Sequence, residues 1–191
     1  MLRVLAESAM STPTLVTERL RLEPVGLHHA PALQRHFADW EVIRHLAAVI
    51  PWPYPDDGMV FFLETDLLPR IAAGKTMAWA IVPKDHGEAV GLIEWRADPE
   101  LEDDRGFWLA RPFWGRGYVT EAVVAFQDFV FFECGVERLE VRTAVNNPGS
   151  RRVKEKTGAV VVDRVTCAHH DGDEAELWVV TKARWAELRG R

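Results

Sequence analysis

The chain has 191 residues, with 23 Lys and Arg against 29 Asp and Glu, giving a formal net charge of −6. That acidity disfavours broad nucleic-acid binding, and a hydrophobic content of 48% without an apolar run of membrane length points to a globular protein off the membrane. Cys134 and Cys167 follow no ligand or disulfide spacing, and residues 1–7 lack the apolar core of a signal peptide. Reduced thiols in a cytoplasmic setting are therefore expected.

In chain order, residues 1–14 read as a flexible arm and residues 15–191 as a single domain. Residues 17–23 alternate as a strand, with Leu20 and Leu22 on one face. Residues 29–37 and 57–68 read as helices joined across the rigid segment Pro51-Trp52-Pro53-Tyr54-Pro55. Residues 76–82 and 89–95 predict a hairpin around Asp85-His86-Gly87. A strand over 102–110 leads into a loop and a long helix ending near Glu133. A strand over 137–144 and a helix from Asn147 follow, and residues 160–166 and 176–181 close a last hairpin through Asp171-Gly172-Asp173.

The loop before the long helix carries the most chemistry. Arg111-Pro112-Phe113-Trp114-Gly115-Arg116-Gly117-Tyr118-Val119-Thr120-Glu121-Ala122 follows an apolar strand, and Val119, Ala122, Val123, Phe126 and Val130 recur at helical spacing. Gly115 and Gly117 leave the backbone approachable just where a helix begins. The first N–H groups of that helix lie at the positive end of its dipole and suit a phosphate or pyrophosphate. A tight turn would use the same glycines. A Rossmann fingerprint would need glycine at Thr120, and no Gly-Lys-Ser/Thr follows, which excludes a P-loop.

This segment resembles the acyl-CoA pyrophosphate loop of the GNAT superfamily of N-acyltransferases, Gln/Arg-x-x-Gly-x-Gly/Ala. Trp114, Gly117 and Val119 take the three defined positions, the first and last departing from the consensus. Aromatic-Gly-basic-Gly-Tyr-x-Thr-Glu-Ala is similar to the branch that includes the ribosomal-protein N-terminal acetyltransferases. A second segment, Asn147-Pro148-Gly149-Ser150-Arg151-Arg152-Val153-Lys154-Glu155-Lys156-Thr157-Gly158-Ala159, is similar to the later family signature, Asn-x-x-Ser followed by a short basic helix. Asn147, Pro148 and Gly158 also suit helix caps, and both readings hold together.

The resemblance covers roughly residues 15–182. It implies an α+β fold with a central mixed, mostly antiparallel sheet of about six to seven strands flanked by helices. It also implies transfer of an acetyl group from acetyl-CoA to a primary amine, without a metal. Leu109, Ala110, Arg111, Trp114, Gly115, Arg116, Gly117, Tyr118, Val119, Thr120, Asn147 and Ser150 are the implied acetyl-CoA contacts. Arg111, Arg116, Arg151, Arg152, Lys154 and Lys156 gather around these segments, as an anionic co-substrate or a solvated helix face would both explain.

Many relatives place a tyrosine acid where this chain has Lys154, so Ser150 becomes the candidate to protonate the leaving thiolate; capping of the helix start is its other reading. Asp104 approximately matches a strand carboxylate used as a base, ahead of Glu94, and otherwise reads as a solvated acid in the 100–104 run. The resemblance implies that Trp52 and Tyr54 lie beside the acceptor, where they form a cleft wall or simply pack the loop. The acceptor is a protein N-terminal α-amine or a small-molecule amine. A non-catalytic acyl-CoA-binding module is the remaining alternative, and both monomer and homodimer stay open. His169-His170-Asp171 reads as a solvated turn, and His28, His29, His36 and His45 make no zinc-like set.

Overall fold

The computed structural model describes residues 12–98, 101, 103–170 and 172–191. Five strands pair antiparallel in chain order: β1 (Leu15–Val16), β2 (Leu20–Pro24), β3 (Thr76–Pro83), β4 (Gly91–Arg96) and β5 (Arg105–Leu109). A second antiparallel sheet has β8 (Gly172–Thr181) between β6 (Arg138–Ala144) and β7 (Val160–His169). The helices are α1 (Ala30–Phe37), α2 (Trp40–Ile43), α3 (Gly58–Phe62), α4 (Leu68–Ala72), α5 (Tyr118–Asp128), α6 (Pro148–Lys156) and α7 (Lys182–Leu188). Short π-helical turns, Leu63–Leu67 and Phe129–Glu133, join α3 to α4 and extend α5.

Strand alternation sorts the core into two layers, because successive side chains point to opposite faces. Leu20, Leu22, Met77, Trp79, Ile81, Ile93 and Trp95 pack with Val123, Phe126 and Val130 of the long helix. Ala78, Ala80, Val82 and Leu92 face the other way, onto Leu33, Phe37, Met59, Leu63 and Leu67. β3 is apolar on both faces and buried throughout, as a strand sandwiched between helical layers must be. Trp79 anchors it, meeting the edges of Phe126 and Phe129 and donating its indole N–H to the Pro13 carbonyl at 2.7 Å. Part of the expected arm, residues 12–14, is thus tied to the sheet, whereas residues 1–11 lie outside the described residues.

The α+β class and the antiparallel pairing agree with expectation, but the strands among the described residues number eight and divide into two sheets. The division has a local cause. Where β5 and β6 approach, side chains replace the ladder: Asp104 Oδ2 accepts the Glu140 N–H at 2.6 Å, and Asp103 Oδ1 accepts the Arg142 N–H at 2.6 Å. Among the described residues one backbone bond, Asp104 N–H to the Glu140 carbonyl at 2.9 Å, crosses here. Beyond this corner the strands part and leave a wedge between the sheets.

The last hairpin is longer than its predicted strands. β7 runs to His169, and His170 docks its Nε2 on the Ile50 carbonyl at 2.8 Å while its ring meets Trp40. The expected solvated turn is corrected for these two half-buried histidines, since they fasten the hairpin to the 44–57 loop; Asp171 lies outside the described residues. Two further elements, α2 and α7, have no counterpart among the predicted elements. Both are short, and a few residues carry little periodicity.

Candidate active site

The loop between β5 and α5 has the conformation its glycines predict. Gly115 and Gly117 lie at φ of 74° and 80°, the left-handed region that costs a side-chain-bearing residue about 1–2 kcal/mol. Gly117 is the residue before α5 and supplies no side-chain cap to its first N–H groups. The helix start therefore offers unmatched backbone donors and the positive end of a dipole, in a form that fits a pyrophosphate. The loop is braced from both sides. Trp114 donates its indole N–H to the Leu109 carbonyl at 2.7 Å, and Arg19 donates to the Arg116 carbonyl at 2.9 Å. Glu121, in the first turn, accepts from the Thr17 hydroxyl at 2.6 Å, the Arg19 N–H at 2.8 Å and the Arg19 Nε at 2.7 Å. Burial pushes its carboxyl up, but these hydrogen bonds and the guanidinium pull harder and hold it below the ordinary glutamate value.

The expected cation cluster is smaller than its sequence suggests. Arg111 pairs with Asp39 at 3.1 Å, Arg151 with Glu176 at 3.0 Å, and Lys154 is buried. Arg152 and Lys156 remain exposed. The two expected strand donors also differ. The Ala110 N–H is committed to the Val90 carbonyl at 2.8 Å, and Leu109 is buried in the core, outside the cavity lining, with its carbonyl taken by Trp114. Tyr118 is buried under Arg19, and Val119 packs on the core; their backbone, not their side chains, is what the loop presents.

The wedge holds a cavity of about 930 Å³. Gly106, Phe107 and Trp108 of β5 line one side, and Thr143 and Ala144 of β6 with Asn147, Ser150 and Lys154 line the other. Asn147 caps α6 by accepting the Ser150 N–H at 3.0 Å. Capping thus uses the serine's backbone and leaves its hydroxyl to other work. That hydroxyl accepts a hydrogen bond from Lys154 Nζ at 2.8 Å. Lys154 is 1% exposed, so burial, and then repulsion from Arg105, hold its ammonium well below the usual lysine value; Asp103 and Glu176 oppose this. Arg105, wholly buried, donates to Gln127 Oε1 at 2.8 Å, and burial lowers its pKa to about 10.

Of the two expected carboxylates, Glu94 lines the cavity and Asp104 does not. Asp104 is occupied in joining β5 to β6, and burial raises its carboxyl above the ordinary aspartate value. Glu94 lies over Gly106, where an added Cβ would come within 2.6 Å of its Oε1, and pairs with Arg96. Sequence reading took Asp104 for the better placed acid because nothing local shows a carboxylate accepting a backbone N–H from a strand 36 residues away.

On the acceptor side, Tyr54 lines the cavity and stands edge-on to Phe37, whose ring meets Trp108. Burial raises the Tyr54 hydroxyl to about 12, so it stays protonated across the neutral range. Trp52 stacks at 5.2 Å on Trp40, outside the cavity lining. Val49, Phe61 and Leu101 are exposed apolar residues at its edge. One cluster escaped the reading of histidine spacing: Glu23, His28 and His29 bring candidate ligand atoms within 4.8 Å of one another. His29 Nδ1 accepts the Gly26 N–H at 3.2 Å, which leaves the proton on Nε2, facing Glu23. Such a ring has no lone pair to offer an ion.

Comparison with known proteins bears on this geometry. Residues 19–160 match the model of the acetyltransferase (GNAT) domain, and the chain belongs to that family. It is similar to an uncharacterized N-acetyltransferase, p20, of Bacillus licheniformis, 26% identical over 140 residues that span 72% of this chain and 76% of that one. It is also similar to an uncharacterized N-acetyltransferase, YjdG, of Bacillus subtilis strain 168, 27% identical over 175 residues, 88% of this chain and 98% of the other. Among solved structures, Mycobacterium smegmatis RimJ in complex with CoA-disulfide superposes with a TM-score of 0.77 at 20% identity, covering 94% of this chain and 96% of that one. The fold is thus that of the family, and the protein is an N-acetyltransferase.

Proposed function

We propose that residues 15–191 act as one unit in the cytoplasm, transferring acetyl from acetyl-CoA to the α-amine of a peptide or protein N-terminus. The observation that carries the reading is the placement of Ser150 on a cavity bounded by β5, the strand that leads into the uncapped start of α5. Acetyl-CoA, once bound, supplies the thioester carbonyl that the amine attacks and the thiolate that leaves. The backbone of residues 114–120 holds its pyrophosphate. Ser150 delivers its hydroxyl proton to the sulfur. Glu94, on the same cavity, receives the proton shed by the amine, directly or through water. An α-amine, with an unperturbed pKa of about 7.7–8.0, loses its proton more readily than a lysine side chain at about 10.4.

The apolar edge formed by Val49, Phe61 and Leu101 supports a peptide acceptor, which would lay side chains across it. A small amine is the second reading. The carboxylates Asp57, Asp66 and Glu94 along the cavity favour it, since they suit a compound with several amino groups. Thiol release from acetyl-CoA, followed across peptides with free N-termini and across polyamines and amino acids, tests both. Turnover of peptides alone supports the first reading, and turnover of small amines alone replaces it. Absence of acetyl-CoA binding would end the proposal. Tyr54→Ala is expected to raise the acceptor KM about tenfold with acetyl-CoA affinity unchanged, measured by steady-state kinetics with each substrate varied in turn.

A further inference from the structure

Lys154 is a buried ionisable group on the cavity that the mechanism above leaves unused. It projects from α6 one turn after Ser150, and its Nζ reaches back to the serine Oγ at 2.8 Å. Its stem is enclosed, and the ammonium lies 5.7 Å from the centre of the Phe107 ring. A lysine this deep is costly unless it has partners or a use. The charged groups that act on it are Arg105 on β5, Asp103 just before β5, and Glu176 on β8, while α5, also packed on α6, supplies none of them. Glu176 is shared with Arg151 of α6, and Asp103 with Arg142 of β6 at 3.6 Å. Among the described residues none of these carboxylates is hydrogen-bonded to the lysine, whose ammonium makes its one hydrogen bond to the serine hydroxyl.

The consequence lies in the direction of the serine proton. An ammonium has three donors and no acceptor, so Ser150 cannot donate back to a charged Lys154. With its oxygen accepting from behind, the hydroxyl hydrogen is turned away from the lysine. We infer that Lys154 is a positioning residue that aims the Ser150 proton at the departing sulfur and replaces that proton from its own ammonium. The inference rests on the acetyl-transfer reading given above. As the C–S bond breaks, the electron pair stays on sulfur and takes the hydroxyl proton, and a proton passes from Nζ to Oγ. The attacking amine forms the C–N bond and sheds one proton, which returns through solvent to recharge the lysine. No oxidant or further reactant is needed. The lowered lysine value serves such a relay, because an ordinary ammonium yields its proton reluctantly near neutrality.

The test needs no acceptor. CoA is the probe, and the ionisation of its bound thiol is followed by ultraviolet difference absorbance of the thiolate as pH rises, after calorimetry has established binding. A positive charge 4–6 Å from a thiolate lowers its pKa by about one unit or more. Lys154→Met is therefore expected to raise the bound thiol's midpoint by about one unit, a tenfold loss of thiolate at a given pH. Lys154→Arg, which stays charged, keeps it low, and Ser150→Ala raises it, with the double variant no higher than Lys154→Met. Should Lys154→Met fail to fold, Lys154→Gln gives the same reading, since an amide supplies no proton. A folded, CoA-binding Lys154→Met with an unchanged midpoint would overturn the inference, as would effects of the two substitutions that simply add. A midpoint that moves in Ser150→Ala alone would leave the serine its role and reduce Lys154 to packing. Failure of the unmodified protein to bind CoA would overturn the acetyl-transfer reading and this inference with it.

Discussion

α5 and α6 satisfy their first N–H groups by different means. α6 begins at Asn147, whose side chain accepts the Ser150 N–H, so that helix start is closed by its own sequence. α5 begins at Gly117, in the left-handed region and without a side chain to turn inward. The acid in its first turn, Glu121, is turned instead onto Thr17 and Arg19. One helix start is closed by its own side chain, and the other is left without a side-chain cap. The difference teaches where to look for anion binding in this chain: not at the basic helix, but at the one with the bare start.

The largest expected effect attacks α5. Gly117→Glu adds a carboxylate at the positive end of the helix and a Cβ in a conformation that disfavours one, although that Cβ would meet only Arg19 Nη2 at 3.4 Å. The fold should survive, with acetyl-CoA affinity down about 100-fold by titration calorimetry. Unchanged affinity would erase the contrast between the two starts.

On α6 the contrast predicts that backbone and hydroxyl can be separated at one residue. Ser150→Ala keeps the N–H that Asn147 caps, so turnover should fall about 100-fold while melting temperature and acetyl-CoA affinity hardly move. Asn147→Ala should do more to stability, costing about 1 kcal/mol in a denaturant melt. If Ser150→Ala lost stability and kept its kinetics, the hydroxyl would be structural after all.

The smallest effect concerns Glu121. Its carboxyl is depressed in the folded protein, so its contribution to stability is present above the ordinary value of 4.5 and is lost as pH falls through the lower, folded value. Glu121→Gln should lower the neutral plateau of a melting-temperature profile slightly and flatten its acid limb, so that the two proteins converge as pH falls through that value. An identical acid limb in both proteins would show that the Arg19 brace contributes nothing through charge.

Much of this was legible in the sequence, for reasons that are local. The β3–β4 hairpin, the β5-loop-α5 unit and the Asn147 cap each depend on residues within a few positions of one another, and the structure has all three. The wedge was not legible, because its opening depends on Asp103 and Asp104 reaching residues 36 and 39 positions away. The same distance hid the true place of Asp104 and the position of Glu94 on the cavity, where its neighbour Gly106 lies on another strand. In the sequence Lys154 reads as one of the cations around the two segments and as the residue standing where relatives have a tyrosine. Its burial depends on elements far along the chain, Phe107 of β5 and the long helix α5 among them, which no periodicity in a nine-residue helix could announce.

Trp114 has a practical consequence. Its indole is held to the Leu109 carbonyl while 43% of the residue faces solvent, and Trp79, Trp95, Trp178 and Trp185 are all buried. A collisional quencher in water therefore reaches Trp114, and Trp52 at 45%, before the rest. Anything that settles on the loop shades one of these two emitters and leaves the other lit. The protein thus carries a native optical gauge of loop occupancy, and Trp52→Phe would leave that gauge reading the loop with little background.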